Sequence, residues 1–270
     1  MDYINETGEL TPIQEAEDGI LLKRDDLFAC EAEGYRVRGG KVRACQLIAA
    51  GAKGLTTASH RSSPQQCIVA VVAKHLGVPC VIHTAAGEPT NQQEFALAAG
   101  AEYRRYKAGY SNVISARANE CAAKENLKLI PFGMESLHQI RGTAAQVANL
   151  PAADFKRIVI AMGSGMSVAG VLLGLEQRGI KKPVLGVRIG ADPAKVVNKY
   201  ISPSSRRLLE IVQPDAKYSD KVDASIGGII LDQVYEAKTA EFLEAGDLLW
   251  VVGVRPATVA DPALSLQSAL

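Results

Sequence analysis

Short apolar runs alternate with segments of helical spacing along this chain, and this alternation limits its possible folds more than any other feature. Apolar runs bounded by glycine or turn residues predict strands over residues 19–23, 54–58, 78–83, 101–104, 127–131, 157–162, 183–189 and 248–252. Helical spacing predicts helices over residues 41–50, 65–75, 90–99, 111–125, 136–148, 167–177, 193–200, 205–212 and 233–244. This order is typical of α/β folds built on a parallel sheet.

The length and charge of the chain narrow the function classes. With 270 residues, of which 47% are hydrophobic, the chain can form one large domain or two lobes that share a cleft. Its net charge of +1 argues against a strongly basic nucleic-acid-binding surface, although a local basic patch stays possible. A break at Pro151-Ala152-Ala153 divides the predicted elements into two groups.

The cysteines and the apolar runs indicate the cellular compartment of the protein. Five cysteines are scattered without a CxxC pair or a zinc spacing, which predicts free thiols in a reducing compartment and no metal site. The first residues are acidic and polar, and no apolar run reaches the roughly 18 residues that a membrane helix needs. We therefore expect a soluble, cytoplasmic protein without a signal peptide.

Two glycine-rich segments carry the chemical signal. Lys41 follows Gly39 and Gly40, which would let a flat group approach the backbone. The segment Gly163-Ser164-Gly165-Met166-Ser167 follows a predicted strand and opens a predicted helix, a place that favours anion binding. A reactive lysine and a phosphate site are what pyridoxal phosphate (PLP) requires. Taken alone, each segment also fits a solvated lysine at a helix start or a tight strand-to-helix turn.

These segments, in this order, resemble fold type II PLP enzymes, the tryptophan synthase β-like superfamily, and most nearly the 1-aminocyclopropane-1-carboxylate (ACC) deaminase and D-cysteine desulfhydrase group. The resemblance runs from Thr11 to about Val254. Its matching segments are Thr11-Pro12-Ile13, Lys23-Arg24-Asp25-Asp26-Leu27, Gly39-Gly40-Lys41-Val42-Arg43, Gly163-Ser164-Gly165 and residues 228–238.

The resemblance implies an α/β fold of two lobes, each an open, mostly parallel twisted sheet with flanking helices. Residues 1–40 and 150–270 would form the large PLP-binding lobe, and residues 41–149 the smaller α/β lobe, with the site in the cleft. It also implies a homodimer, a Schiff base between Lys41 and PLP, and phosphate binding by Gly163, Ser164, Gly165, Met166 and Ser167.

The chain departs from the family pattern where the family has Ser-Asn-His. Here it reads Ser62-Ser63-Pro64-Gln65-Gln66. Ser63 matches the family's serine and is the candidate catalytic hydroxyl, while Pro64 has no side-chain amide and no N–H. We expect Gln65 to contact the cofactor, and Ser62, Ser63, Gln66 and Arg61 to contact the substrate. Helix capping by the serines and a solvated Arg61 are the structural alternatives.

Two further positions are assigned through the resemblance. The family has a threonine near the pyridine nitrogen, and Gly253 stands near that place, so Gly253 is a candidate cofactor contact without a hydroxyl. The family also uses a tyrosine before its late conserved segment, and Tyr218 is the nearest candidate for a catalytic tyrosine.

The resemblance implies a PLP-dependent lyase or deaminase acting on an amino-acid-like amine, with a Schiff base on Lys41 and a carbanion at Cα. Racemisation, β-replacement and decarboxylation use the same groups and stay open. One alternative is the same chemistry on an amino group carried by a larger molecule, such as a modified nucleotide or DNA. Two others are a non-catalytic PLP-binding protein and a binding protein without PLP. Nothing in the sequence indicates a membrane partner, and the expected partner is a small amino-acid-like substrate.

Overall fold

The computed structural model describes residues 9–107 and 110–255, which form two compact units. The first unit contains residues 9–28 and 135–254, and the second contains residues 29–107, 110–134 and 255. Each unit has a hydrophobic core of its own.

The strands are numbered in chain order. They are β1 (Ile13–Glu15), β2 (Leu21–Lys23), β3 (Ala29–Ala32), β4 (Tyr35–Gly39), β5 (Leu55–Ala58), β6 (Cys80–Ala85), β7 (Glu102–Tyr106), β8 (Lys128–Ile130), β9 (Ile158–Met162), β10 (Val184–Arg188), β11 (Leu209–Val212), β12 (Ser225–Ile226), β13 (Ile229–Ile230), β14 (Leu248–Trp250) and β15 (Gly253–Val254).

The helices follow the same convention. They are α1 (Gly40–Ala49), α2 (Gln65–Leu76), α3 (Asn91–Ala98), α4 (Ser111–Glu125), α5 (Leu137–Gln146), α6 (Met166–Gln177), α7 (Ala194–Tyr200) and α8 (Pro203–Arg206). Short 3-10 turns lie at Glu17–Gly19, Asp25–Leu27, Phe132–Met134, Val147–Asn149 and Glu236–Phe242.

The first unit is built on a sheet with the strand order β1-β2-β14-β9-β10-β11. Strand β1 pairs antiparallel with β2, and the other neighbours pair parallel. Alternate residues of β9 enter different cores: Ile158 and Ile160 pack with α6, whereas Val159 and Ala161 pack on the other face. The sheet is therefore covered on both faces, as a buried parallel sheet requires.

The second unit is built on a fully parallel sheet with the order β7-β6-β5-β8. Strand β5 again divides its residues between two faces. Leu55 lies in the core with α1 and α2, and Ala58 packs against α4. The antiparallel hairpin β3–β4 adjoins α2. The α/β class and the mostly parallel sheets with flanking helices are confirmed.

Two predicted helices are wrong. In place of a helix over residues 205–212, α8 ends at Arg206 and β11 pairs with β10 at the sheet edge, so backbone pairing outweighs helical spacing there. In place of an α-helix over residues 233–244, the chain forms 3-10 turns, because Asp232 Oδ1 accepts from the backbone N–H groups of Val234 and Tyr235 and fixes a turn. The hairpin β3–β4 was not predicted.

Lys23 and Asp25 form a buried polar network at the carboxyl end of β2. Their exposed fractions are 0% and 2%. Lys23 Nζ donates to Thr11 O at 2.7 Å and to Asn149 Oδ1 at 2.8 Å. Asp25 accepts from Thr11 Oγ1 at 2.7 Å and from Trp250 Nε1 at 2.8 Å. The network therefore ties the segment around Thr11 to the end of β14.

Burial shifts both charged groups of this network toward neutrality. It raises the pKa of Asp25 to about 6, against an opposing effect of the Lys23 charge. It lowers the pKa of Lys23 to about 8, against an opposing effect of Asp25. At pH values between about 6 and about 8 both groups are charged. Their mutual attraction and hydrogen bonds then offset part of the cost of burial.

Asp25 should make the first unit less stable as the pH rises from about 4 to 6. Its pKa is about 6 in the folded state against the usual 3.8. Its contribution to the free energy of unfolding is therefore complete below pH 3.8 and lost above about pH 6. At about 1.4 kcal/mol per pKa unit, the loss is up to about 3 kcal/mol relative to Asp25→Asn. Urea unfolding of both proteins, followed through the single tryptophan Trp250, measures this difference. Equal pH dependence in the two proteins would contradict it.

Candidate active site

Lys41 is the second residue of α1 and directly follows the hairpin β3–β4. Gly39, which ends β4, has φ 146°, a conformation that favours glycine. Val42 and Cys45 are buried in the core of the second unit, whereas Lys41 is half-buried. Helix packing thus fixes the backbone of Lys41 and leaves its side chain partly accessible.

The glycine loop, defined as Gly163, Ser164, Gly165, Met166 and Ser167, joins β9 to α6. Gly165 has φ +80°, and a Cβ at this position would lie 2.7 Å from Val197 Cγ2 and 2.9 Å from Pro193 Cβ. Both the backbone conformation and the space therefore require glycine. The predicted strand, loop and helix are present in this order.

The start of α6 is suited to an anion. Gly165 is its N-cap, and glycine has no side chain that could accept hydrogen bonds from the first N–H groups of the helix. The helix dipole adds a partial positive charge there. Ser164 is half-buried and Ser167 is buried, and both hydroxyls belong to the same loop.

Tyr235 packs against the glycine loop. A Cβ on Gly163 would lie 2.9 Å from Tyr235 Cε1, so the ring contacts the loop directly. The phenol oxygen of Tyr235 lies 3.3 Å from that of Tyr218, and the two rings meet edge to face. Tyr218 in turn lies against Gly190, after the carboxyl end of β10. Two phenols thus lie at the sheet edge where the glycine loop begins.

Buried charged residues fix both tyrosines. Asp232 accepts from the backbone N–H of Tyr235 at 2.8 Å. Lys238, which is 1% exposed, donates from Nζ to Lys217 O at 2.5 Å and to Tyr218 O at 3.4 Å. The phenol pair therefore stands on an ordered support within the first unit.

The serine turn, defined as His60, Arg61, Ser62, Ser63 and Pro64, leads from the end of β5 into α2. Ser63 N donates to His60 O at 3.0 Å, and Ser63 Oγ accepts from the backbone N–H of Gln65 at 3.3 Å. Ser62 and Ser63 are half-buried. The second unit therefore carries both the serine turn and Lys41.

Gln65 is 4% exposed, and its amide makes internal hydrogen bonds. Its Nε2 donates to Thr57 Oγ1 at 2.8 Å and to Pro131 O at 3.0 Å, and its Oε1 accepts from Gly133 N at 2.8 Å. Gly133 lies in the turn Phe132–Met134, which packs against α1. Gln65 therefore links the start of α2 to the helix of Lys41, and its contact with a cofactor stays a prediction.

Gln66 closes the serine turn. Its Nε2 donates to Arg61 O at 2.7 Å and to Ser63 O at 3.1 Å, and its Oε1 accepts from Tyr103 OH at 2.6 Å. It is fully buried. These bonds explain its burial without a ligand, and its substrate contact stays a prediction.

Contacts within the protein hold the side chain of Arg61 and the chain just before Gly253. Arg61 Nη2 donates to Glu88 O, and its guanidinium lies on Gly87, so the side chain fastens that loop. Gly253 begins β15, two residues after Val251. Val251 N donates to Lys23 O at 2.9 Å, which fixes the chain just before Gly253. Their ligand contacts also stay predictions.

Tyr235 is the residue that sequence reasoning missed as a site residue. Its segment, residues 228–238, was recognised as similar to the family, but its contact with Gly163 depends on the tertiary fold. Within the first unit the structure brings Tyr235, Tyr218 and the glycine loop together.

Comparison with known proteins identifies the family of the chain and similar folds. The family model described as "Pyridoxal-phosphate dependent enzyme" matches residues 5–259. The fold is similar to the crystal structure of an ACC deaminase homologue, with a TM-score of 0.74, 22% identity, and coverage of 98% of this chain and 99% of that chain.

Two further solved structures have a similar fold. Maize serine racemase has a TM-score of 0.64 and 16% identity, with coverage of 98% of this chain and 94% of that chain. The processed form of threonine deaminase isoform 2 from Solanum lycopersicum has a TM-score of 0.61 and 17% identity, with coverage of 98% and 85%. At these identities the likeness concerns the fold.

The cofactor of this family is pyridoxal phosphate. The glycine loop fits the phosphate of this cofactor, because the first N–H groups of α6 can donate to an anion and the N-cap residue Gly165 has no side chain that would cap them. None of the helices in the described part of the chain is long and apolar enough to cross a membrane.

Gly165→Ala should destabilise the first unit by roughly 1–3 kcal/mol more than Gly179→Ala. Gly179 follows the same helix at φ +66° with nothing within 4 Å of an added Cβ, so the control carries only the backbone strain. At Gly165 the added Cβ must also displace Val197 or Pro193. Urea unfolding measures both variants, and equal losses would show that the loop is not crowded.

Proposed function

The chain belongs to the family of pyridoxal-phosphate dependent enzymes, and on this premise we propose that it is a lyase or deaminase acting on a small amino-acid-like amine. The observation that carries the proposal is Lys41, a half-buried lysine at the start of α1 behind a glycine with φ 146°. Its neighbours on the helix are core residues, which hold the amine in a defined place.

Lys41 has two roles in this proposal. Bound pyridoxal phosphate supplies an aldehyde that condenses with amines and a ring that accepts electrons from the substrate Cα. Lys41 Nζ would hold the cofactor through this aldehyde. As a neutral amine, Lys41 would then take the proton from the substrate Cα as general base.

The glycine loop binds the phosphate in this proposal. The first N–H groups of α6 would donate to the phosphate oxygens, and the hydroxyls of Ser164 and Ser167 would add donors. Such a site needs no cationic side chain, because the helix dipole and the N–H groups supply the positive potential.

The phenol pair supplies a second acid–base group. A tyrosine hydroxyl both donates and accepts a hydrogen bond, so Tyr235 can pass a proton to the leaving group and recover it from Tyr218. Their oxygens are 3.3 Å apart, and Asp232 and Lys238 fix the segments that carry them. Elimination needs this second proton transfer, which supports a lyase over a binding protein.

Lys41→Ala should abolish the near-visible absorbance band of lysine-bound pyridoxal phosphate, because no other amine takes its place. The control is Lys53→Ala, which removes an exposed lysine of the same unit and should leave the band intact. Absorbance spectra of the three proteins after incubation with the cofactor provide the measurement.

Product analysis completes this test. A lyase should release ammonia and a 2-oxo acid from at least one amino acid in a panel of D- and L-amino acids, and Lys41→Ala should release none. A band that survives in Lys41→Ala contradicts the role of Lys41. A normal band without any product contradicts the lyase and leaves a cofactor-binding protein.

A further inference from the structure

Two glycines bring α6 into close contact with α5. A Cβ on Gly170 would lie 2.9 Å from the backbone oxygen of Ile140. A Cβ on Gly174 would lie 2.5 Å from the backbone oxygen of Ala144. A step of four residues on α6 thus matches a step of four residues on α5, so the two helices run parallel, turn beside turn.

This register places Gln139 beside the start of α6. Thr143 Cβ lies 2.5 Å from the position of a Cβ on Gly170. Gln139 is four residues before Thr143, and Met166 is four residues before Gly170, so these two residues lie at the same level. Ile140, the neighbour of Gln139, packs with Met166 in one apolar cluster, as this placement requires. Gln139 therefore lies beside the first turn of the helix that the glycine loop opens.

The amide of Gln139 is buried and only partly satisfied. Gln139 is 2% exposed, and its Nε2 donates to Thr143 Oγ1 at 3.1 Å. Its Oε1 is buried and has no hydrogen-bond partner within the described part of the chain. Because the nitrogen is directed toward Thr143, one turn later, the oxygen is directed toward the end at which α5 and α6 begin. A buried amide atom without a partner is costly, which indicates a ligand at this position.

The amide can present either of its ends to such a ligand. A hydroxyl both donates and accepts, so Thr143 Oγ1 can bond to Gln139 Oε1 as well as to Nε2. A half-turn of the amide would keep the bond to Thr143 and direct Nε2 to the place that Oε1 now occupies. Gln139 would then offer an N–H donor beside the first N–H groups of α6, whose N-cap residue is Gly165. A neutral donor can bind an anion there without burying a second charge.

We infer that Gln139 is a further phosphate-binding residue, whose amide turns when the cofactor binds and donates from Nε2 to a phosphate oxygen. The inference rests on the phosphate site of the proposed function and adds to it a residue from outside the glycine loop. Sequence reasoning missed Gln139, because only the packing of α5 against α6 brings it to this place.

Titration of the protein with pyridoxal phosphate and with pyridoxal tests the inference. Pyridoxal is the same aldehyde without the phosphate, so the ratio of the two dissociation constants, followed through the near-visible absorbance band, isolates the phosphate. The wild type should bind pyridoxal phosphate more tightly. Gln139→Leu should reduce this preference about 10- to 100-fold, as expected for the loss of a hydrogen bond to a charged group. Gln139→Glu should reduce it further, because a carboxylate in this place repels the phosphate.

Gln177→Leu and Gln177→Glu are the matched controls. They make the same changes at the exposed last residue of α6 and should leave the preference unchanged. The wild type also supplies a measurement that does not depend on the folding of a variant. The NMR signal of the Gln139 side-chain amide should shift with pyridoxal phosphate and much less with pyridoxal.

Two results would contradict the account at different levels. Folded Gln139→Leu and Gln139→Glu proteins with the wild-type preference, or an amide signal that responds equally to both ligands, overturn the inference and leave the proposed function intact. A wild type that binds pyridoxal phosphate and pyridoxal equally contradicts the phosphate site of the proposed function, and the inference with it.

Discussion

Parallel strand pairing is the constraint on which both units depend. In a parallel sheet all carboxyl ends lie at one edge, and each strand passes through a turn into a helix that covers a face. The serine turn follows β5, and the glycine loop follows β9, so each unit places its reactive loop at the carboxyl edge of its own sheet. Ligands of open α/β sheets bind at this edge.

The two units contribute different chemistry. The first unit offers a helix start with glycine as its N-cap and two phenols, which suit a phosphate and a proton transfer. The second unit offers the amine of Lys41 and the hydroxyls of the serine turn. Buried polar side chains support each set: Asp232 and Lys238 hold the tyrosines, and Gln65 and Gln66 hold the serine turn.

Local signals explain what could be predicted from the sequence. The bounds 111–125 of α4 were predicted correctly, because the spacing is regular and Asn126 takes a left-handed cap at φ 53°. The glycine loop was predicted because a strand, two glycines and a helix follow one another. The helix predicted over residues 205–212 is wrong because the apolar pattern there also fits a strand. Pairing with β10 decides in favour of the strand β11.

Tertiary contacts explain what could not be predicted. Gln65 and Gln66 look like ligand groups in the sequence, but their partners Pro131, Gly133 and Tyr103 come from distant segments. Tyr235 meets Gly163, and Arg255 meets Ser62, only in the folded chain.

The account rests on Lys41 as the residue that carries the cofactor. The most direct measurement is borohydride reduction of the cofactor-loaded protein, followed by proteolysis and peptide mass spectrometry. Reduction converts the bond between lysine and cofactor into a stable amine, so the account predicts one pyridoxyl phosphate group, attached to Lys41. A group on any other lysine, or on none, would contradict it.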